Sequence, residues 1–267
     1  MREIRAGRRG RVDESEPMRP KERDIAGLVI AASALAPLVA CAPSTHAVPD
    51  ASPAERATAS DERPVEVAPG LVADRAAREV RIVAEVACDR GWLEQAACKA
   101  GTREHESLLV VDVAPSAIHA ALLLVGARPG SPGGWTQATD GTVSRIAPTG
   151  DPLAILVRGA FGEVPLSEWI EDPVSGRAFP ADAWVFAGSR MRPNTRSMGP
   201  GEHYVADRTG SVVGIVTFGD ETVAFREVVP DRAEVEAPAW QARTARLPAP
   251  GTRVELVLRP QGRGAPR

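Results

Sequence analysis

The sequence predicts a single α+β domain. We expect a mostly antiparallel β-sheet, one well-defined helix at about residues 115–126 and a short second helical turn at about residues 166–170. Two observations support this class. Several short segments alternate apolar with other residues at a period of two, which is typical of half-buried strands. One segment instead repeats apolar residues at helical spacing.

The clearest strand lies at residues 80–86, where every second side chain is apolar. Residues 71–72 are expected to pair with it across a turn. A denser apolar run at residues 106–113 predicts a strand that is covered on both faces. Further strands are predicted at residues 143–146, 152–158, 183–187, 204–206, 211–218 and 252–258, which gives about nine strands and no internal repeat.

The predicted helix has recognisable ends. Pro115 stands where a helix can begin, because its missing N–H would have no partner there. One apolar stripe follows, and Gly126 supplies a left-handed stop. The stripe consists of Ile118, Ala121, Leu122 and Val125.

Composition excludes some classes of function. The chain has 267 residues, of which 43% are hydrophobic and 25% are charged, as in an ordinary soluble domain. The formal net charge of -3 argues against a nucleic-acid partner, because a phosphate-binding face needs clustered Lys and Arg.

The first 41 residues resemble an export signal. A basic segment precedes an apolar run at residues 25–38, and the run ends in small residues before Cys41. The end of this segment, Leu38-Val39-Ala40-Cys41, resembles a bacterial lipobox, which predicts that Cys41 is lipidated and anchors the protein to a membrane. We expect Met18 to be the true start.

The predicted organisation follows from that signal. Residues 42–64 are a flexible tether, residues 65–260 are one domain and residues 261–267 are a disordered tail. We expect an exported protein that faces the periplasm. Ala42 favours the outer membrane if the cell is Gram-negative, since Asp at that position would favour the inner membrane.

Two cysteines remain after lipidation, Cys88 and Cys98. An even pair outside the cytoplasm predicts a disulfide. Two buried free thiols, a metal site and a redox pair remain alternatives.

A second group of polar residues is a candidate site. Glu104, His105 and Glu106 are consecutive, and His119 lies in the predicted helix. If the three residues enter a strand, the two glutamates share one face and His105 points to the other. A metal or catalytic site would then need the helix to bring His119 close. A structural role for these histidines is the competing interpretation.

Several blocks of the sequence, taken in order, resemble the bacterial YdjY-domain family over about residues 65–260. That resemblance implies no activity. Some members carry a ferredoxin-like label, but an iron–sulfur cluster normally needs four cysteine ligands, and this domain has two. The blocks are Cys88, Gly91, Leu93-Glu94, Cys98, Gly101-Thr102, Glu104 to Ser107, Ile118 to Ala120, Gly126-Ala127, Pro129-Gly130, Trp184 to Ser189, Tyr204 to Asp207 and Gly251 to Val254.

These observations favour a lipid-anchored envelope module that binds an unidentified protein, peptide or glycan. We expect no enzymatic activity and no cofactor. One alternative is a metal-binding protein or hydrolase that uses His105, His119 and Glu104 or Glu106. The other is a thiol redox protein that uses Cys88 and Cys98.

Overall fold

The computed structural model describes residues 63–262. Its first nine strands are β1 (Val65–Ala68), β2 (Leu71–Asp74), β3 (Glu79–Val86), β4 (Gln95–Lys99), β5 (Ser107–Val111), β6 (Gly134–Gln137), β7 (Val143–Ile146), β8 (Pro152–Gly159) and β9 (Gly162–Pro165). The remaining strands are β10 (Ile170–Glu171), β11 (Trp184–Val185), β12 (Met191–Pro193), β13 (Glu202–Tyr204), β14 (Ser211–Gly214), β15 (Val223–Phe225), β16 (Gln241–Ala242) and β17 (Arg253–Pro260).

Helices are few. Helix α1 is Pro115–Leu124, and the short helix α2 is Val205–Thr209. Four 3₁₀ turns are Glu104–Glu106, Leu166–Trp169, Arg196–Met198 and Thr244–Arg246.

Eight strands form a closed barrel. Around the ring the order is β3, β17, β8, β11, β15, β14, β4 and β5, and β5 pairs with β3 to close it. Pairs β4–β5 and β14–β15 are parallel, and the other pairs of the ring are antiparallel. Strand β3 pairs with β2 along its first half and with β5 along its second half.

The predicted α+β class is therefore wrong. The described residues are mostly β, with 38% in strands and 14% in helices, and only α1 exceeds six residues. An open, mostly antiparallel sheet does not account for the ring. Alternation along a strand shows which face is buried, but it does not show which strands pair at long range.

Several individual elements were predicted correctly. Helix α1 covers most of residues 115–126, and Gly126 follows it with a φ of 82°. The second helical turn is the 3₁₀ turn Leu166–Trp169. Residues 204–206 do not form the predicted strand, because strand β13 ends at Tyr204 and helix α2 begins at Val205.

The barrel core is built from the alternating apolar positions. On β17, Leu256 pairs with Ile82 of β3 on one side and with Val157 of β8 on the other. All three side chains are fully buried. Each such side chain contributes about 1.5–3 kcal/mol of burial free energy, so this three-strand layer is a large part of the stability.

Aromatic residues fill another part of the core. The Phe179 ring lies 4.9 Å from Trp184, 4.7 Å from Phe225 and 4.6 Å from Trp240, measured between centroids. All four side chains are buried. Trp240 is therefore held by packing rather than left free in its loop.

The predicted signal, the lipidation site Cys41 and nearly all of the tether lie outside the described residues, as does most of the predicted tail. Within residues 63–262, no helix is both long enough and apolar enough to cross a bilayer.

Replacing Leu256 with Ala should destabilise the barrel by about 2–5 kcal/mol, because the change leaves a cavity between three strands. Val83→Ala is the matched control, since Val83 is 48% exposed and surface changes cost within about 0.5 kcal/mol. Urea denaturation measures both variants. Equal losses would contradict the assignment of Leu256 to the core.

Candidate functional site

Two glutamates meet where β4 and β5 begin. These strands are parallel, with Gln95 opposite Ser107. The pairing extends one residue further back, where the Glu94 N–H donates to the Glu106 carbonyl at 3.0 Å. Residues at the same level of adjacent strands point their side chains to the same face of a sheet. Glu94 and Glu106 are therefore neighbours on one face.

The backbone at Glu94 is fixed from a third strand as well. The Glu94 carbonyl accepts hydrogen bonds from the N–H groups of Ile215 at 2.9 Å and Val216 at 3.0 Å, just after β14 ends. These contacts tie the glutamate to the barrel, so its carboxyl group is presented by a rigid part of the fold.

The two glutamates lie on the wall of a cavity of about 210 Å³, which we call the acidic cavity. Most of its other lining is apolar, and Asp231, Ala233, Glu236 and Pro238 are exposed at its rim. Its lining residues are Trp92, Leu93, Glu94, Glu106, Ile215, Val216, Val229, Pro230, Asp231, Ala233, Glu236, Pro238, Ala239 and Trp240.

Two tryptophans contribute to the lining in different ways. Trp240 is buried in the aromatic core, and its carbonyl accepts a hydrogen bond from the Leu93 N–H at 3.0 Å. Trp92 is held at the backbone by a bridge to Gln241, yet its side chain is 43% exposed. A large apolar ring with that exposure is available to contact a ligand.

The carboxyl groups affect each other. Burial, followed by a hydrogen bond to Glu106 and the Glu106 charge, raises the pKa of Glu94 to about 7, while Arg103 opposes the shift. A hydrogen bond between two carboxyl groups requires a proton on one of them. With this pKa, Glu94 is partly protonated at neutral pH, which reduces the repulsion between the two adjacent carboxyl groups.

Arg103 supports this pair from outside the cavity. Its Nη1 lies 4.0 Å from Glu94 Oε2, and its guanidinium carbon lies 3.7 Å from the centre of the Phe218 ring. The loop carrying Phe218 is fixed by the buried Glu221, whose carboxylate accepts hydrogen bonds from the N–H groups of Phe218 and Gly219. Burial raises the pKa of Glu221.

The predicted Glu104–His105–Glu106 group takes a different form from the one expected. It is a 3₁₀ turn, and the strand begins only at Ser107. The Glu104 carboxylate accepts a hydrogen bond from the Gly101 N–H at 2.6 Å, so it stabilises the loop. The His105 side chain is 75% exposed and lies 3.7 Å from Glu106. Of the three, only Glu106 lines the acidic cavity.

His119 has its own neighbours. Its Nδ1 lies 3.0 Å from the Tyr204 hydroxyl, and its ring packs edge-on against Phe186 at 4.9 Å. The Tyr204 hydroxyl in turn lies 3.3 Å from Thr222 Oγ1. Burial lowers the pKa of His119 and raises that of Tyr204. These contacts link α1 to the segments after β11 and around β15. His119 therefore has a structural role.

A metal site is not formed from these residues. Among residues 63–262, no group of three or more His, Cys, Asp and Glu side chains is arranged to hold a metal ion.

The structure does not contain the predicted Cys88–Cys98 disulfide, since both residues are free thiols. Strand β5 lies between them. On one edge of β5, the Ala87 N–H donates to the Leu108 carbonyl; on the other edge, Cys98 of β4 pairs with Val110. Strands two apart are separated by about 9–10 Å. A disulfide needs Cα atoms within about 4.4–6.8 Å.

Both thiols have a local role instead. Cys88 Sγ donates to the Glu104 carbonyl at 3.2 Å, and Cys98 is buried in β4. Burial raises the pKa of each thiol. A raised pKa lowers the fraction of thiolate, which is the reactive form.

Sequence reasoning missed most of the acidic cavity. Trp92, Asp231 and Trp240 had no pattern around them, and Glu94 was noted only within a block of the family resemblance. One signal was present in the sequence: Glu94 and Glu106 each stand two residues before an apolar run, at residues 96–98 and 108–111. It becomes informative only once those segments are known to pair in parallel.

Glu94→Gln should change how stability depends on pH. Because the folded-state pKa is raised from 4.5 to about 7, Glu94 contributes stability below about pH 4.5 that is lost as pH rises through about pH 7. We expect wild type to lose on the order of 1–2 kcal/mol relative to Glu94→Gln over this range, after allowing for partial solvent exposure. Urea denaturation at several pH values measures the difference.

The control is Glu168→Gln, because the Glu168 side chain is 47% exposed and lies outside the cavity lining. Parallel pH profiles for wild type and Glu94→Gln would show that Glu94 is an ordinary surface carboxyl group.

The cysteines provide a direct chemical prediction. Alkylation in denaturant without a reducing agent should add one adduct to Cys88 and one to Cys98, because both are free. In the folded protein Cys98 should react far more slowly, since it is fully buried. Peptide mass spectrometry measures both. A disulfide-linked peptide that resists alkylation until it is reduced would restore the original prediction.

No curated protein and no solved structure matches the chain. The family model described as YdjY domain matches residues 71–259, which include every strand of the barrel except the last residue of β17. This match covers well over half of the chain and agrees with the resemblance seen in the sequence. The chain belongs to the YdjY domain family.

Proposed function

We propose that this protein is an exported, lipid-anchored binding protein of the cell envelope, and that the acidic cavity is its ligand site. The observation that carries the proposal is the cavity itself. It places an exposed tryptophan and two adjacent carboxyl groups around about 210 Å³ of space. A concave, mostly apolar surface with a few converging polar groups is the usual form of a ligand site.

The size of the cavity limits the ligand. A dry apolar cavity of roughly 150 Å³ holds benzene, and cavities for drug-sized ligands start at about 300 Å³. The acidic cavity, at about 210 Å³, therefore accommodates a molecule slightly larger than benzene. It also accommodates one side chain or sugar substituent of a larger envelope partner.

The other two functions have less support. A metal-dependent or hydrolytic site would use His105, His119 and the adjacent glutamates, but His119 contacts Tyr204 and Phe186 while His105 faces solvent. A thiol redox function needs an accessible thiolate, and burial works against that form at both Cys88 and Cys98.

The anchor is tested by Cys41→Ser. We expect the wild-type protein to incorporate an alkyne-labelled fatty acid in cells and to sediment with membranes. The variant should carry no label, because the sulfur that would hold the diacylglyceryl group is missing. Cys88→Ser is the matched control and should label like wild type. Labelling that persists in Cys41→Ser would refute lipidation at this residue.

The ligand site is tested with three probes of similar shape and different charge: benzyl alcohol, benzoate and benzylamine. Isothermal titration should show saturable binding of at least one probe. Ala233→Trp should abolish it by obstructing the rim, whereas Ala77→Trp, at an exposed turn outside the lining, should not. Absence of binding for all three probes, or binding that Ala233→Trp leaves unchanged, would show that the cavity is not the ligand site.

A further inference from the structure

We infer that the ligand of the acidic cavity is a small organic ammonium ion, held with its alkyl groups against Trp92 and its charge facing Glu94 and Glu106. This inference rests on the proposed function, because it names the class of ligand for the same site.

The charge of the lining is one-sided. Glu94, Glu106, Asp231 and Glu236 are all lining residues, and the described part of the lining contains no Lys, Arg or His. An anion entering this space would meet carboxyl groups, because the basic side chains near them lie outside the lining. A cation would gain from the carboxyl groups at short range and at reduced dielectric.

Nearby basic groups lie outside the lining and already have partners. Arg145 Nη2 lies 2.7 Å from Glu236 Oε2, and the guanidinium carbon of Arg177 lies 4.7 Å from the Trp240 ring centre. Arg103 lies 4.0 Å from Glu94, and His105 lies 3.7 Å from Glu106. Glu94 thus faces Glu106, Asp231 and Arg103, which leaves carboxyl groups in excess around the cavity.

The aromatic lining suits an organic cation. The faces of tryptophan rings attract cations by about 0.5–2 kcal/mol, and quaternary ammonium ions are bound in this way. Trp240 already has one cation, Arg177, over its ring. The exposed Trp92 ring offers a second such face at the rim.

A bare metal ion fits these walls less well. Calcium takes about 6–8 oxygen ligands, and no group of three His, Cys, Asp and Glu side chains within residues 63–262 is arranged for a metal. An alkylammonium ion needs fewer polar contacts, because its alkyl groups pack against apolar side chains.

Protonation should modulate binding. Choline is a quaternary ammonium ion, so its charge does not change with pH. Any change of choline affinity with pH therefore comes from ionisable groups of the protein. As Glu94 loses its proton, the cavity becomes more negative, and affinity for the cation should rise from about pH 6 to about pH 8. The groups that face Glu94 and Glu106 here are Arg103, His105 and Asp231.

The test compares two probes of the same shape, choline and its neutral isostere 3,3-dimethylbutan-1-ol, with the full chain in detergent solution. Isothermal titration should show choline binding at least tenfold tighter, which corresponds to about 1.4 kcal/mol. Its affinity should increase with pH in wild type and should vary much less in Glu94→Gln.

Trp92→Ala should weaken choline binding about tenfold, by loss of the cation–π contact. Trp135→Ala is the matched control, because Trp135 is also exposed, at 39%, and is not part of the lining. This variant should bind choline like wild type.

If wild type bound both probes with equal affinity and Trp92→Ala bound neither, the ammonium inference would be overturned. The cavity would still be a ligand site. Absence of choline binding, together with binding of benzyl alcohol or benzoate, would do the same. Choline binding that Trp92→Ala leaves unchanged would place the cation elsewhere on the protein and would also overturn the inference.

Discussion

The pairing of β5 with two different strands is the constraint on which the rest of this structure depends. On one edge, β5 pairs with β3 and closes the barrel; on the other, it runs parallel to β4. Closure leaves no exposed edge along the ring, so the backbone groups of these strands are satisfied within the barrel. The same strand also separates Cys88 from Cys98 and thereby prevents their bridging.

The candidate site is a consequence of that pairing. Because β4 and β5 are parallel, the residues that precede them, Glu94 and Glu106, are adjacent at one end of the barrel. Two adjacent carboxyl groups in a partly buried position are unfavourable when both are charged. The raised pKa keeps Glu94 partly protonated at neutral pH, and Arg103 offsets part of the remaining charge, so the fold tolerates the pair.

Local structure can be predicted well from this sequence, whereas the long-range pairing of strands cannot. The alternation at residues 80–86 correctly identified the buried face of β3, and Pro115 and Gly126 correctly marked the ends of α1. Strand β4 was not predicted, because its buried residues are consecutive rather than alternating. Closure was not predictable either, since an open sheet and a barrel show the same alternation along each strand.

The same limit applies to the site. Glu106 was a candidate from composition, but its partner Glu94 is defined by a strand pairing that the sequence does not reveal. Trp240 lies far along the chain and is held at the cavity by packing against Phe179 and by the hydrogen bond from the Leu93 N–H to its carbonyl. His105 and His119 attracted interest as residue types, and geometry assigns them to the surface and to a structural contact with Tyr204.

The most direct test of this account is the titration of Glu94 itself, followed by carbon-detected NMR of its side-chain carboxyl group in protein labelled with ¹³C-glutamate and assigned with Glu94→Gln. We predict a midpoint of about 7 for Glu94. A midpoint near the ordinary glutamate value, about 4.3, would contradict the description of the cavity.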